Sequence, residues 1–145
     1  MTRARALAAR TPLRIRLVGI LVLRWSRAFA HEIGEPAGPD QDVAVQERTA
    51  RGQYWLWCVP TGAPGALAGL TLPAAGVVRV GPVYTPVEAR RHGYGGGVTH
   101  AASRAALDAG HRVVLFTDLA NPTSNALYPR LGSRPVTDRA TFVFE

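Results

Sequence analysis

Lysine is absent from this sequence, and all 17 basic residues among its 145 positions are arginines. A nucleotide P-loop ends in Gly-Lys-Ser or Gly-Lys-Thr, so that class of phosphate site is excluded. Cysteine is nearly absent: Cys58 is the only one, and its place in the bulky apolar run 54–59 predicts a packed side chain rather than a nucleophile or a disulfide partner. No apolar run reaches the roughly 20 residues of a membrane span, and a reducing cytoplasm fits this composition.

Acidic residues are missing from the first 31 positions, while seven of the 17 arginines lie within the first 27. The remaining ten arginines balance ten acids, so the basic excess belongs to an N-terminal segment and not to a folded face that could read nucleic acid. The same segment has the outline of a secretory leader, with an apolar run from Leu17 to Leu23 and a small-residue cleavage site at Ala28 to Ala30. Because the run is short and Arg24 and Arg27 lie between it and the cleavage site, we favour a cytoplasmic protein.

The hydrophobic periodicity predicts one α/β domain. Strands 54–59, 66–72 and 77–84 are separated by turn signals, so we expect three consecutive antiparallel strands. The apolar run 113–116 is typical of a central strand that is covered on both faces. The other expected elements are helices at 21–33 and 43–50, an alanine-rich helix that ends at Gly110, and a last strand at 141–144.

A glycine-rich turn lies between the third strand and the alanine-rich helix. It reads Arg90-Arg-His-Gly-Tyr-Gly95. Glycines let the backbone curl, and the first-turn N–H groups and dipole of the following helix favour an anion, so the turn predicts a phosphate cradle. A dinucleotide-binding fingerprint would need a third glycine where Val98 stands, so that interpretation fails.

Two motifs together resemble the GNAT acyltransferase superfamily. Arg90, Gly93 and Gly95 meet the pattern Arg/Gln-x-x-Gly-x-Gly/Ala of its coenzyme A loop, and Asn121, with Tyr128 seven residues later and then Leu-Gly, resembles its second hallmark. The resemblance covers residues 20–145 and implies a GNAT-like fold, a mixed and mostly antiparallel sheet flanked by helices. Residues 1–19 are predicted to be a separate basic segment. They either supply the missing first strand through the alternating residues 13–17, or form an unrelated or disordered extension, or are the remnant of a longer parent.

The resemblance also implies the residues of a site. In this family the strand before the loop pairs its backbone with the pantetheine arm, although prolines at 82 and 86 could simply bracket a strand end. Tyr128 is predicted to be catalytic by protonating the departing thiolate, the alternative being a tyrosine that only packs on the sheet. Asn121 could contact the coenzyme or only cap a helix. The predicted cofactor-binding residues are Val83, Tyr84, Thr85, Arg90, Arg91, His92, Gly93, Tyr94, Gly95, Gly96 and Asn121.

The function implied is transfer of an acyl group, most simply acetyl, from acetyl-CoA to an amine by direct attack in a ternary complex. No metal is expected, since the four histidines show no ligand spacing. Strand 77–84 carries no carboxylate, so Glu32, Glu88, Asp118 or a water relay is left as the general base. The alternative is a CoA-binding module without turnover or half of a larger GNAT protein. The acceptor, a small-molecule or peptide amine, is not specified, and a homodimer through strand 141–144 stays open.

Overall fold

The computed structural model describes residues 4–6, 12–35 and 37–140, with side chains described from residue 18 onward. No helix within these ranges is long and apolar enough to cross a membrane. The elements, in chain order, are β1 Ala4–Ala6, α1 Pro12–Glu32, α2 Pro39–Ala50, β2 Tyr54–Cys58, β3 Pro64–Leu70, β4 Val77–Tyr84, a 3₁₀ turn Val87–Ala89, α3 Tyr94–Asp108, β5 Arg112–Leu115 and α4 Pro122–Arg130.

The five strands form a sheet in the order β1-β2-β3-β4-β5. The first four strands are antiparallel to their neighbours, and β5 runs parallel to β4. Helix α3 provides the crossover between these two parallel strands, as a parallel pair requires. The predicted hairpin and the antiparallel meander of three strands are confirmed, and so is the mixed, mostly antiparallel sheet flanked by helices.

The structure does not place the N-terminal strand at residues 13–17, where the alternating pattern predicted it. Residues 13–17 belong to α1, and the strand that precedes this helix is Ala4–Ala6, whose middle residue pairs with Leu56 of β2. Leu13 and Leu17 are four residues apart as well as in an alternating series, so the same residues fit a helical face, and Pro12 suits a first helical position. Helix α1 therefore runs across the boundary drawn after residue 19, while the separation into two segments stays a prediction.

Strand β5 does not occupy a central position within the part of the chain that the structure describes. It is the last strand in the order, and none of its four residues is fully buried. An apolar run is also compatible with a strand that has a partner on one edge and a helix on one face, which is what β5 has here. The predicted strand at 141–144 lies outside the described residues.

The two faces of the sheet carry different cores. On one face, large side chains of the strands pack against α1 and α2. The ring of Tyr84 in β4, for example, lies with its centroid 5.9 Å from the ring centroid of Trp25 in α1. On the other face α3 lies on small residues, with Ala66 and Ala68 of β3 buried against Val98 and Ala102. Small residues on both sides allow the axis of α3 to approach the sheet closely, and this fixes its first turn beside the end of β4.

Candidate functional site

Strand β4 separates from β5 halfway along its length. The two strands pair only from Val77 to Val80, after which the register between β4 and β3 shifts so that Gly81 and Pro82 lie opposite Gly69 alone. Beyond this bulge β4 still pairs with β3 through Val83 and Tyr84. Within the described ranges, the other edge of residues 83–85 therefore faces no strand. The structure thus places the three residues predicted to bind pantetheine at a strand edge that is open toward β5.

A half-buried arginine of α2 holds the bulge from the face of the sheet that carries α1 and α2. Nη2 of Arg48 donates hydrogen bonds to the carbonyl oxygens of Leu70, at 3.1 Å, and Gly81, at 3.0 Å, and its guanidinium lies 4.9 Å from the ring centroid of Tyr54. A Cβ on Gly69 would come within 2.8 Å of the Gly81 oxygen and 2.9 Å of that nitrogen. The guanidinium of Arg48 fits here because Gly69 has no side chain. Burial lowers the pKa of Arg48.

The glycine-rich turn brings an open helix N-terminus to the end of β4. Gly93 has φ +76° in the left-handed region and precedes the first residue of α3, and its carbonyl accepts from the N–H of Gly97 at 2.9 Å. Arg91 also has a positive φ of +65°, which is uncommon for a residue with a side chain. The N–H groups of Tyr94, Gly95 and Gly96 meet no acceptor among the residues that the structure describes. The turn therefore leads into a helix start with unpaired N–H groups, and anion binding there stays a prediction.

The glycines that follow Gly93 are also required by packing. A Cβ on each would meet a different neighbour: Gly95 at 3.1 Å from Thr85 Oγ1, Gly96 at 3.2 Å from Leu127 Cδ1, and Gly97 at 2.7 Å from the Trp57 ring. These contacts join the first turn of α3 to β4, α4 and β2 respectively. The run of glycines thus has two causes, since Gly93 supplies the backbone conformation and the others supply close approach.

Arg90, a predicted phosphate ligand, is engaged with protein groups in this structure. Its Nε donates to the carbonyl of Thr85 at 2.9 Å, and its Nη2 donates to both carboxylate oxygens of Glu32, at 2.7 and 2.9 Å. Glu32 is one of the three carboxylates that the sequence offered as a general base. Both side chains are about two-fifths exposed. The pair joins the C-terminal end of α1 to the start of the glycine turn.

Two further residues of the turn have exposed side chains. The ring of His92 stacks on the ring of Tyr94 with centroids 5.2 Å apart, and its Nδ1 lies 2.7 Å from the carbonyl oxygen of Arg90. Arg91 is exposed and has no acidic partner within the described part of the chain. Of the two neighbouring arginines, Arg91 is therefore the one whose charge is available at the turn.

Tyr84 turns its side chain away from the glycine turn, toward α1. Its ring is almost fully buried beside Trp25. Burial raises the pKa of its hydroxyl, and the nearby carboxylates of Glu32 and Glu88 raise this pKa further, against the lowering effect of Arg90 and a second arginine. At neutral pH Tyr84 is thus a neutral phenol at the edge of the Glu32–Arg90 pair, and only its backbone faces the open strand edge.

The structure gives two other predicted residues local roles. Oδ1 of Asn121 accepts from the N–H of Ser124 at 3.1 Å and caps α4, which begins at Pro122. Oδ1 of Asp118 accepts from the N–H of Ala120 at 2.8 Å and so stabilises the preceding turn. Glu88, the third candidate base, is exposed within the 3₁₀ turn. Contact between Asn121 and a cofactor stays a prediction.

Two cavities border α3 and α4. The first, of about 530 Å³, is lined by the glycine turn together with Trp57, His100 and Leu127. The second, of about 710 Å³, is lined by Thr99 and Ser103 of α3, by β5, by Tyr128 of α4 and by residues 131–137. Burial raises the pKa of Tyr128, so its hydroxyl is protonated at neutral pH. The structure therefore places Tyr128 and the glycine turn in adjoining cavities and not in the same one.

Three residues of this region were not predicted from the sequence. Arg48 occurs on a polar-looking helix, but it lies three residues after Val45, the buried residue of α2, and this helical spacing could have indicated an inward position. Trp57 lines the first cavity and contacts Gly97. Leu127 lines the same cavity and lies against Gly96 in the first turn of α3, and its position directly before Tyr128 could have indicated it.

Comparison with known proteins identifies relatives of this arrangement. A model of the FR47-like protein family matches residues 59–142. The solved structure of a GCN5-related N-acetyltransferase from Ralstonia eutropha JMP134 is similar, with 23% identity, 99% of each chain covered and a TM-score of 0.71. A possible acetyltransferase from Clostridium difficile 630 shows 15% identity and a TM-score of 0.71, over 100% of this chain and 97% of the other.

A third solved structure holds a ligand. It is AAC(6')-Iy in complex with the bisubstrate analog CoA-S-monomethyl-acetylneamine, with 15% identity and a TM-score of 0.68, over 100% of this chain and 98% of the other. At these identities the three structures show the fold alone. A search of curated proteins finds no match.

Proposed function

This chain belongs to the FR47-like protein family, which is of the GNAT type, and from that membership we propose that it is an N-acyltransferase. The acyl donor is acyl-CoA, most simply acetyl-CoA, and the acceptor is an amine of a small molecule or peptide. The amine attacks the thioester directly while both substrates are bound. The thiol of CoA leaves, and the acyl group forms an amide with the acceptor.

One juxtaposition supports this proposal above the others. The open edge of residues 83–85 ends directly at the glycine turn, and a Cβ on Gly95 would lie only 3.1 Å from the side chain of Thr85. An unpaired strand edge suits an extended amide-bearing arm, although the Thr85 carbonyl already accepts from Arg90 here. A helix N-terminus suits a pyrophosphate. CoA carries both groups in one molecule, with the pyrophosphate joined to the amide-containing pantetheine.

The roles of the site residues follow from that placement. The N–H groups from Arg91 to Gly96 hold the pyrophosphate, and the Arg91 guanidinium adds charge. The backbone of Val83, Tyr84 and Thr85 pairs with pantetheine. Trp57 and Leu127 line an apolar cleft beside the turn. Tyr128, kept protonated by burial, donates to the departing thiolate.

Calorimetric titration tests the cofactor half of the proposal. We expect CoA and acetyl-CoA to bind with a single-site isotherm. Pantetheine, which lacks the pyrophosphate, should bind at least about tenfold more weakly because the helix N-terminus then has no anion to hold. If CoA produces no saturable heat, or if pantetheine binds as tightly as CoA, the assignment of the turn is wrong.

A CoA-binding module without turnover is the second candidate, and the carboxylates favour it. Glu32 is paired with Arg90, Asp118 stabilises a turn and Glu88 is exposed, so none of the three is poised as a base over the open edge. Release of free thiol from acetyl-CoA across a panel of primary amines separates the two candidates. Thiol release that depends on amine concentration supports the enzyme, while CoA binding without any release supports the module.

A further inference from the structure

The Glu32–Arg90 pair joins two elements on opposite faces of the sheet. The two residues are 58 positions apart in the sequence. Glu32 ends α1, which packs on the face of large side chains, and Arg90 begins the turn that leads into α3 on the other face. The pair therefore crosses the end of the sheet where β4 finishes.

An acid at the C-terminal end of a helix is unfavourable by itself, because the helix dipole places partial negative charge there. Glu32 occupies such a position, and the Arg90 guanidinium compensates it. The Nε of the same guanidinium is bound to the carbonyl of Thr85. A single side chain thus fixes three segments to one another: the end of α1, the end of β4 and the start of the glycine turn.

This arrangement changes what Arg90 offers to a phosphate. Its charge is already neutralised by a carboxylate at 2.7 Å, whereas Arg91 has no acidic partner within the described residues. We propose that Glu32 and Arg90 form a positioning clamp that holds the glycine turn against α1, and that Arg91 rather than Arg90 supplies side-chain charge to the pyrophosphate. The proposal rests on the proposed function. Under the clamp proposal, neither Glu32 nor Arg90 contacts CoA.

The substitution Glu32→Ala distinguishes the clamp from a phosphate-binding Arg90 by the sign of its effect. If Arg90 binds phosphate, removing Glu32 frees a competing guanidinium and CoA binds more tightly. If the pair is a clamp, Glu32→Ala loosens the turn, and we expect the affinity for CoA to fall by about threefold to tenfold. An affinity that is unchanged or higher than that of the wild type would overturn the proposal.

A double-mutant cycle supplies a second criterion. Arg90→Ala should weaken CoA binding at least as much as Glu32→Ala, since it also removes the hydrogen bond to the Thr85 carbonyl. The double variant should match Arg90→Ala to within about twofold, because Glu32 then has no partner left to lose. Arg91→Ala should weaken binding by about tenfold or more and should add to the effect of Glu32→Ala, since the two residues act separately. Full additivity between Glu32→Ala and Arg90→Ala would exclude the clamp.

The matched control is Asp108→Ala. Asp108 is the last residue of α3 and pairs with Arg104 at 2.7 Å, so it reproduces an exposed acid–arginine pair at a helix end away from the turn. We expect this variant to bind CoA within about twofold of the wild type. A loss equal to that of Glu32→Ala would show that any such pair has the effect, and would remove the special role of Glu32.

Hydrogen exchange without ligand keeps the clamp testable if CoA fails to bind. Glu32→Ala and Arg90→Ala should each speed exchange of the hydrogen-bonded amides around the turn, those of Ala89, Arg90 and Gly97, by about tenfold, while Asp108→Ala should leave them unchanged. If the wild type does not bind CoA but both substitutions deprotect the turn, the proposed function fails and the clamp stands. If the amides exchange at wild-type rates in both variants, the clamp is wrong whatever the ligand.

Discussion

Gly97 lies with its α-carbon directly against the indole ring of Trp57, so that a Cβ on the glycine would come within 2.7 Å of the ring. This contact places the first turn of α3 on β2. Gly95 and Gly96, which precede Gly97 in that turn, lie against Thr85 and Leu127. Helix-to-sheet packing therefore accounts for part of the glycine-rich sequence, beside the anion binding that we propose for the turn. The two requirements can be separated by experiment because different glycines carry them.

We expect Gly97→Ala to lower the free energy of unfolding by about 1–3 kcal/mol, because the added methyl group overpacks the contact with Trp57. The control is Gly19→Ala within α1, where a Cβ meets nothing within 4 Å. There alanine should raise the free energy of unfolding by about 0.5–1 kcal/mol through its better helix propensity. Urea denaturation measures both values, and the same sign for the two variants would contradict the packing argument.

Gly93→Ala should reduce the affinity for CoA by more than about tenfold, since a side chain resists the left-handed conformation that aims the first N–H groups of α3. Gly110→Ala is its control. Gly110 has φ +86°, compared with +76° at Gly93, and both have open space around a Cβ, so the two changes impose similar strain. Calorimetry should find CoA binding by Gly110→Ala within about twofold of the wild type. Equal losses would mean that instability, not the turn, weakens binding.

Arg48→Met should lower the free energy of unfolding by about 1–3 kcal/mol, because it leaves the half-buried carbonyl of Gly81 without the donor that Arg48 supplies. The carbonyl of Leu70 keeps a hydrogen bond from Gln53 at 2.8 Å. Arg104→Met, at an exposed position on α3, should cost less than about 0.5 kcal/mol. Thermal or urea unfolding of the pair measures the difference, and equal costs would show that Arg48 does not hold the bulge.

If the chain transfers acyl groups, Tyr128→Phe should lower kcat by at least about tenfold without a comparable change in the Kd of acetyl-CoA, because the phenol would act only on the departing thiolate. Tyr54→Phe in β2 is the control and should change kcat by less than about twofold, because the Tyr54 hydroxyl has no hydrogen-bond partner among the described residues. Thiol release at saturating acetyl-CoA measures the rate. An unchanged kcat in Tyr128→Phe would leave Tyr128 as a packing residue in its own cavity.

The two tyrosines with raised pKa predict the stability at alkaline pH. Folding raises the pKa of Tyr84 and Tyr128 above their ordinary value of 10.0, so the folded chain holds these protons more tightly than the unfolded chain. The resulting stabilisation is fully present below pH 10.0 and is lost as the pH rises through the folded values. Urea unfolding above pH 10.0 should show a steeper decline for the wild type than for Tyr128→Phe. Parallel declines would contradict the assignment to Tyr128.

Much of this protein could be predicted from local patterns. The limits of β4, the hairpin of β2 and β3, the helix after the glycine turn and the cap of α4 all depend on residues within a few positions of one another, through alternation, helical spacing and turn chemistry. The open N-terminus of α3 is local for the same reason, because Gly93 and the helix that follows it form one continuous segment.

Only the tertiary structure decided which distant groups meet. The partner of Arg90 lies 58 residues away and that of Arg48 lies 33 residues away, and no periodicity relates such pairs. The tertiary structure also assigned residues 13–17 to α1 instead of a strand. These contacts depend on how whole elements pack, because the fold determines which distant groups lie within reach of a given side chain. The sequence determined the elements and the turn, whereas packing decided that Arg90 contacts Glu32 and that Trp57 contacts Gly97.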